Sequence, residues 1–107
     1  MKQHRALFRL ALDRTGQLIR DSEVVPCRIV DLTSEGVRVE TSLPVQEGDL
    51  FELAFVLTPG QPFRCGIEVV AVNPPYIGAR LSRISPEDQQ ALNRFIEQFL
   101  NTNFMGI

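Results

Sequence analysis

The chain has 107 residues, which is enough for one compact domain and too few for two ordinary ones. Its 44% hydrophobic and 22% charged residues exclude a disordered chain, and its net charge of −2 excludes a broad basic surface that coats DNA or RNA. Its apolar runs are shorter than the roughly 18 residues that span a bilayer, and the start of the chain lacks the apolar stretch of a signal peptide. We therefore expect a cytoplasmic protein without membrane insertion.

The N-terminal segment is basic, whereas the rest of the chain is acidic. Residues 1–20 carry five Lys and Arg side chains against one Asp, so they are +4 and the remainder is −6. A small anion suits this asymmetry better than a polymer, and a solvated charged tail is the alternative. Arg5 and Arg9 would lie about 13 Å apart in a strand but within about 6 Å in a tight bend. The pair therefore predicts a curl where the first strand begins.

The chain opens with a predicted β-hairpin. We expect a strand over residues 6–12, a turn at residues 13–16, and a partner strand over residues 17–20. Gly16 supplies the positive φ that a short hairpin turn needs.

Two β-branched runs follow this hairpin. Residues 24–31 form the first run, and Pro26 within it donates no ladder hydrogen bond, which predicts an edge or a bulge there. Residues 36–41 alternate, with Val37 and Val39 on one face and polar side chains on the other.

Three more strands are predicted by hydrophobic residues at period two, and Pro- and Gly-containing loops join them. The expected inward-facing residues are Phe51, Leu53, Phe55, Leu57, Phe63, Cys65, Ile67, Val69, Ala71, Ile77, Ala79 and Leu81. We interpret Cys27 and Cys65 as core hydrophobes rather than a disulfide, and two cysteines with one histidine argue against a zinc site. Six or seven short strands with hairpin-length loops favour an antiparallel barrel or sandwich.

The last predicted element is a helix. Ser85 is a good N-cap, Pro86 fits the first helical position, and acidic residues follow at the positive end of the helix dipole. An apolar stripe predicts that this helix lies across the barrel; its members are Ala91, Leu92, Phe95, Ile96, Phe99 and Leu100.

Between two predicted strands the chain reads Asp-Leu-Thr-Ser-Glu-Gly. This segment alone is explained as a turn whose carboxylate and hydroxyls bind backbone amides, with Gly36 relieving strain. Together with the arginine pair, however, it resembles the signature of the PilZ family of bacterial cyclic di-GMP receptors, RxxxR followed by D/NxSxxG. The matching positions are Arg5, Arg9, Asp31, Thr33 and Gly36. Thr33 departs from the usual serine but keeps the hydroxyl.

The resemblance implies an all-β fold with a C-terminal helix, namely a six-stranded antiparallel β-barrel of the PilZ-like split type capped by one α-helix. Residues 1–107 then form a single domain. Its parts would be a ligand-binding arm at 1–9, the barrel at 10–82, the helix at 85–100 and a tail at 101–107.

The resemblance also implies a cyclic di-GMP site without a metal or cofactor. An arginine fork, as at Arg5 and Arg9, can bind a phosphate or the O6/N7 edge of guanine and can stack on a base. The Asp31 carboxylate suits the N1–H and N2–H donors of guanine, and Thr33 offers a hydroxyl. Gly36 lets the backbone approach the ligand without a Cβ clash.

The implied function is that of a receptor or adaptor. Binding of cyclic di-GMP would order the N-terminal arm on the barrel and transmit the second-messenger level to an unidentified protein partner, with the domain a monomer or homodimer. The alternative is a PilZ-like adaptor for pilus or motility machinery that binds protein and no nucleotide, but the intact arginine pair counts against it. We expect no enzyme activity, because the sequence offers no catalytic arrangement around its single histidine.

Overall fold

The computed structural model describes the backbone of residues 9–105 and the side chains of residues 9–99. Arg5 and the expected start of the first strand therefore lie outside the described residues. The predicted curl between the two arginines remains a prediction.

Within residues 9–105, six antiparallel strands close into a barrel, and one helix follows them. The neighbours around the barrel are β1-β2-β3-β6-β5-β4, so the first and fourth strands close it. This arrangement confirms the predicted fold. The elements are β1 (Leu10–Arg20), β2 (Glu23–Leu32), β3 (Gly36–Glu40), β4 (Leu50–Thr58), β5 (Gln61–Asn73), β6 (Tyr76–Arg83) and α1 (Pro86–Met105).

The barrel interior holds the core that the alternation predicts. Side chains of β4 and β5 show the pattern most clearly, because every second residue is buried along most of both strands. Cys27 and Cys65 are buried free thiols, as expected. Burial raises the pKa of Cys27 to about 11 and is the main cause that raises the pKa of Cys65 to about 12.

The predicted hairpin turn at residues 13–16 is wrong, because β1 runs without interruption through this segment. The chain reverses after β1 instead, where Asp21 has a φ of 56°. Gly16 is required by packing rather than by a turn. A Cβ at this position would lie 2.6 Å from Ile29 Cδ1 and 3.0 Å from the carbonyl oxygen of Ala54.

Two smaller predictions, an edge or bulge at Pro26 and an inward-facing Ala71, have different outcomes. Pro26 pairs with Gln17 of β1, while the pairing of β2 with β3 begins only at Arg28, so the predicted edge position is confirmed. Ala71 was expected inside but is exposed. A bulge between Val69 and Ala71 shifts the alternation of β5, and sequence periodicity does not reveal it.

The helix begins as predicted and ends later than predicted. The Ser85 hydroxyl accepts a hydrogen bond from the backbone N–H of Asp88 at 3.0 Å. Residues 101–105, expected as a tail, belong to α1. The helix side chains that join the core are Ala91, Leu92 and Ile96, with Phe95 packed against it. Within residues 9–105, no helix is both long and apolar enough to cross a membrane.

Candidate ligand-binding site

A cleft of about 520 Å³ lies between the β2–β3 loop, β3 and β6. This volume is in the range of roughly 300–1,000 Å³ that is usual for small-molecule sites. Three arginines and two acidic residues line the cleft. The lining residues that carry the argument are Arg9, Asp31, Thr33, Gly36, Arg38 and Arg80.

Four of the five predicted site residues meet at this cleft. Arg9, immediately before β1, is exposed and lines the cleft together with Asp31, Thr33 and Gly36. The fifth residue, Arg5, lies outside the described residues. The two motifs are more than twenty residues apart in sequence, and they meet because Leu10 of β1 pairs with Leu32 of β2.

Asp31 is the charged residue that the described chain buries most deeply, at 8% exposure. Its Oδ2 lies 2.5 Å from Nη2 of Arg38, its direct cross-strand partner on β3. The two atoms form a close ion pair, but their geometry is not that of an aligned hydrogen bond, and within residues 9–105 this buried oxygen receives none. Asp31 therefore has acceptor capacity left for a ligand.

Thr33 closes the β2–β3 loop with its hydroxyl. Its Oγ1 accepts the backbone N–H of Gly36 at 2.9 Å and that of Glu35 at 3.1 Å, and the N–H of Thr33 donates to the carbonyl of Gly36 at 2.9 Å. The simple turn explanation thus applies to this residue. The hydroxyl itself donates only a long hydrogen bond, at 3.4 Å, to the carbonyl oxygen of Gly36. A phosphate oxygen is an acceptor that can take this proton instead.

Gly36 is fixed by the contact between β3 and β6. A Cβ at this position would lie 2.9 Å from the carbonyl oxygen of Ala79, which is backbone and cannot move aside cheaply. This close approach explains the glycine without invoking a ligand.

The other described arginines of the N-terminal segment, Arg14 and Arg20, have partners away from the cleft. Arg14 donates to the carbonyl oxygen of Val56 at 2.7 Å, and its guanidinium lies 5.5 Å from the ring centroid of Phe95. Arg20 lies 3.6 Å from Asp49. Among the described arginines of this segment, Arg9 alone lines the cleft.

The cleft also contains residues that were not predicted as site residues, among them Arg38, Arg80 and Gly78. Arg38 pairs with Asp31, and its guanidinium lies 5.7 Å from the ring centroid of Tyr76. Arg80 pairs with Glu68 on β5. The alternation of β3 placed Arg38 on the outer face, but only the strand register identifies its partner.

Gly78 lines the cleft and has space for a Cβ. A Cβ there would meet only the Cβ of Ala71, at 3.8 Å, which is ordinary van der Waals contact. Neither packing nor a positive φ requires this glycine, in contrast to Gly36.

Metal chemistry has no visible site in the described part of the chain. Within residues 9–105, no group of three or more His, Cys, Asp or Glu side chains is arranged to hold an ion. The polar groups of the cleft are instead arginines, carboxylates and a hydroxyl, which suit an anionic ligand with hydrogen-bond donors.

Comparison with solved structures finds the same fold in three examples. The Escherichia coli YcgR complex with c-di-GMP superposes with a TM-score of 0.80 at 19% identity, covering 97% of this chain and 49% of that one. The Bacillus subtilis inhibitor of motility, MotI/DgrA, gives 0.75 at 22% identity, covering 94% and 53%. The isolated PilZ domain of Escherichia coli YcgR with c-di-GMP gives 0.73 at 18% identity, covering 98% and 100%.

The chain spans about half the length of the first two of these proteins. A comparison with curated protein sequences finds no significant relative. A family model of the PilZ domain, however, matches residues 3–98, a range that includes both sequence motifs and the whole barrel. With this match and the closed barrel, the chain belongs to the PilZ domain family.

Proposed function

We propose that this domain is a cyclic di-GMP receptor whose ligand binds in the cleft beside Arg9. The observation that carries the proposal is that Arg9 lines one cleft with Asp31 and Thr33, which follow it in the sequence by more than twenty residues. A cyclic dinucleotide has two phosphates and two guanine edges. Arginine forks, a carboxylate and a hydroxyl proton are the groups that recognise them.

In this proposal each residue has a distinct part. Arg9, with Arg5, clamps a phosphate or the O6/N7 edge of a guanine. Asp31 accepts the N1–H and N2–H donors of a guanine, and Thr33 donates its proton to a phosphate oxygen. The similar folds of the two YcgR structures with c-di-GMP support the choice of ligand.

The proposed output is a change at the N-terminal arm, residues 1–9. Binding holds this arm against the barrel through its arginines, and the rearranged surface is read by a protein partner. Two states of such a switch need to differ by only a few kcal/mol.

Isothermal titration of cyclic di-GMP into the protein tests the proposal, with Arg9→Ala as the site variant. We expect saturable binding in the wild type and a loss of about ten- to hundredfold in the variant, because hydrogen bonds to charged groups contribute about 1.5–3 kcal/mol. GTP and cyclic di-AMP serve as competitors and should bind more weakly.

Arg64→Ala is the matched control. Arg64 is an exposed arginine that pairs with Glu52 at a distance of 2.8 Å, and it does not line the cleft. Its removal takes away one positive charge and should leave the affinity within about twofold. Absence of binding in the wild type would contradict the proposal and favour an adaptor that binds protein and no nucleotide. An equal loss in both variants would mean that only net charge matters.

A further inference from the structure

The ion pair between Asp31 and Arg38 occupies an oxygen that a bound guanine would use. The two residues are direct cross-strand partners, and Oδ2 of Asp31 is buried while Nη2 of Arg38 lies 2.5 Å from it. A guanine edge that donates from N1–H and N2–H uses both oxygens of a carboxylate. Such a base and the Arg38 guanidinium therefore compete for the same oxygen.

Arg38 is placed so that it can leave this contact. Its side chain is 52% exposed, whereas that of Asp31 is only 11% exposed, so the arginine is the partner that is free to turn. It lines the cleft, and its guanidinium lies within cation–π distance of the Tyr76 ring. A displaced Arg38 would remain in the cleft, where the phosphates of a dinucleotide would balance its charge.

We propose that Arg38 is a resident counter-ion for Asp31 that a guanine base must displace, and that it thereby sets the affinity of the cleft for its ligand. The inference rests on the proposed function and deepens it. The buried carboxylate keeps its charge compensated in the ligand-free domain, where leaving it unpaired would be costly. Part of the free energy of base recognition is consequently spent on breaking the ion pair.

A double-mutant cycle separates this role from simple charge attraction. In the wild type, Asp31→Ala removes both the base contact and the competing ion pair, so the two losses partly cancel in the affinity. In an Arg38→Met background no ion pair exists, and Asp31→Ala removes the base contact alone. We expect Asp31→Ala to cost at least about tenfold more of the cyclic di-GMP affinity in the Arg38→Met background than in the wild type.

The control background is Arg64→Met, which breaks an exposed ion pair between β5 and β4 outside the cleft. In this background Asp31→Ala should cost the same as in the wild type. Equal costs in all three backgrounds would overturn the inference, as would a smaller cost in Arg38→Met. A smaller cost in the Arg38→Met background would mean that Arg38 positions Asp31 for the ligand.

A second measurement needs no substitution. Tyr76 is the only tyrosine in the chain, so labelling with 3-fluorotyrosine gives a single ¹⁹F resonance beside Arg38. Saturation with cyclic di-GMP should shift this resonance in the wild type, because the guanidinium moves relative to the ring. A resonance unmoved at calorimetric saturation would overturn the inference and leave the proposed function intact, whereas a wild type without binding would overturn both.

Discussion

Single residues of the motif carry a structural task as well as the proposed ligand contacts. Thr33 ties the β2–β3 loop with two accepted hydrogen bonds, and Gly36 permits the close approach of β6. Asp31, by contrast, is buried without an aligned hydrogen bond from the described residues. A buried carboxylate held in this way does not stabilise the fold efficiently, and this supports the ligand contact proposed for Asp31.

Gly36 and Gly78 both line the cleft, but only Gly36 is required by packing. Gly36→Ala should lower the free energy of unfolding by about 1–3 kcal/mol, because the new Cβ overpacks against a backbone oxygen. The geometric basis is the 2.9 Å separation from the carbonyl of Ala79. Urea unfolding followed by circular dichroism measures the change.

Gly78→Ala is the matched control on the facing strand, since its Cβ would meet only the Cβ of Ala71 at 3.8 Å. We expect a change within about 0.5 kcal/mol. Equal destabilisation by both substitutions would contradict the packing account of Gly36 and point to a general requirement for glycine at the cleft.

At the scale of elements, the sequence predicted which side chains face the core better than it predicted where strands turn or bulge. The alternation of β4 and the cap of α1 are local patterns, and both are confirmed. The turn at residues 13–16 was wrong because Gly16 looks the same in a turn and in a tightly packed strand. The bulge that exposes Ala71 likewise has no signature in the alternation of β5.

The N-cap of α1 offers a test at this scale. Ser85→Ala should lower the free energy of unfolding by about 1 kcal/mol, because the N–H of Asp88 loses its acceptor at the end of the helix. Chemical denaturation measures this cost. Ser42→Ala is the control, since Ser42 is exposed between β3 and β4 and begins no helix. An equal cost there would contradict the capping account.

At the scale of the whole molecule, the closed barrel determines the behaviour of the two thiols. Burial raises the pKa of Cys27 to about 11 and, as the main cause, that of Cys65 to about 12, from an ordinary value of 9.0. Both thiols therefore stay protonated in the folded state at pH values where the unfolded chain ionises them. The two protonated thiols therefore contribute free energy of unfolding that is fully present below pH 9. This contribution is lost as the pH rises towards the pKa values of the thiols in the folded state.

The loss of stability at alkaline pH is measurable by comparing the wild type with the double variant Cys27→Ala/Cys65→Ala. Between pH 8 and pH 10 the wild type should lose about 1 kcal/mol per thiol more than the variant, because only its unfolded state gains from thiolate formation. Denaturant unfolding at several pH values gives the difference. Parallel curves for the two proteins would show that the thiols are not protected by the core.

The sequence by itself determined most of the residues that face the core, where the helix begins and which family signature the chain carries. These properties depend on the periodicity of neighbouring residues, and a linear pattern contains that information. Only the tertiary structure decided that Arg38 faces Asp31, that Gly16 and Gly36 are packing positions, and that Arg9 meets the second motif. The physical reason is that strand register joins residues far apart in the chain, and a shift of one residue would turn every side chain to the other face.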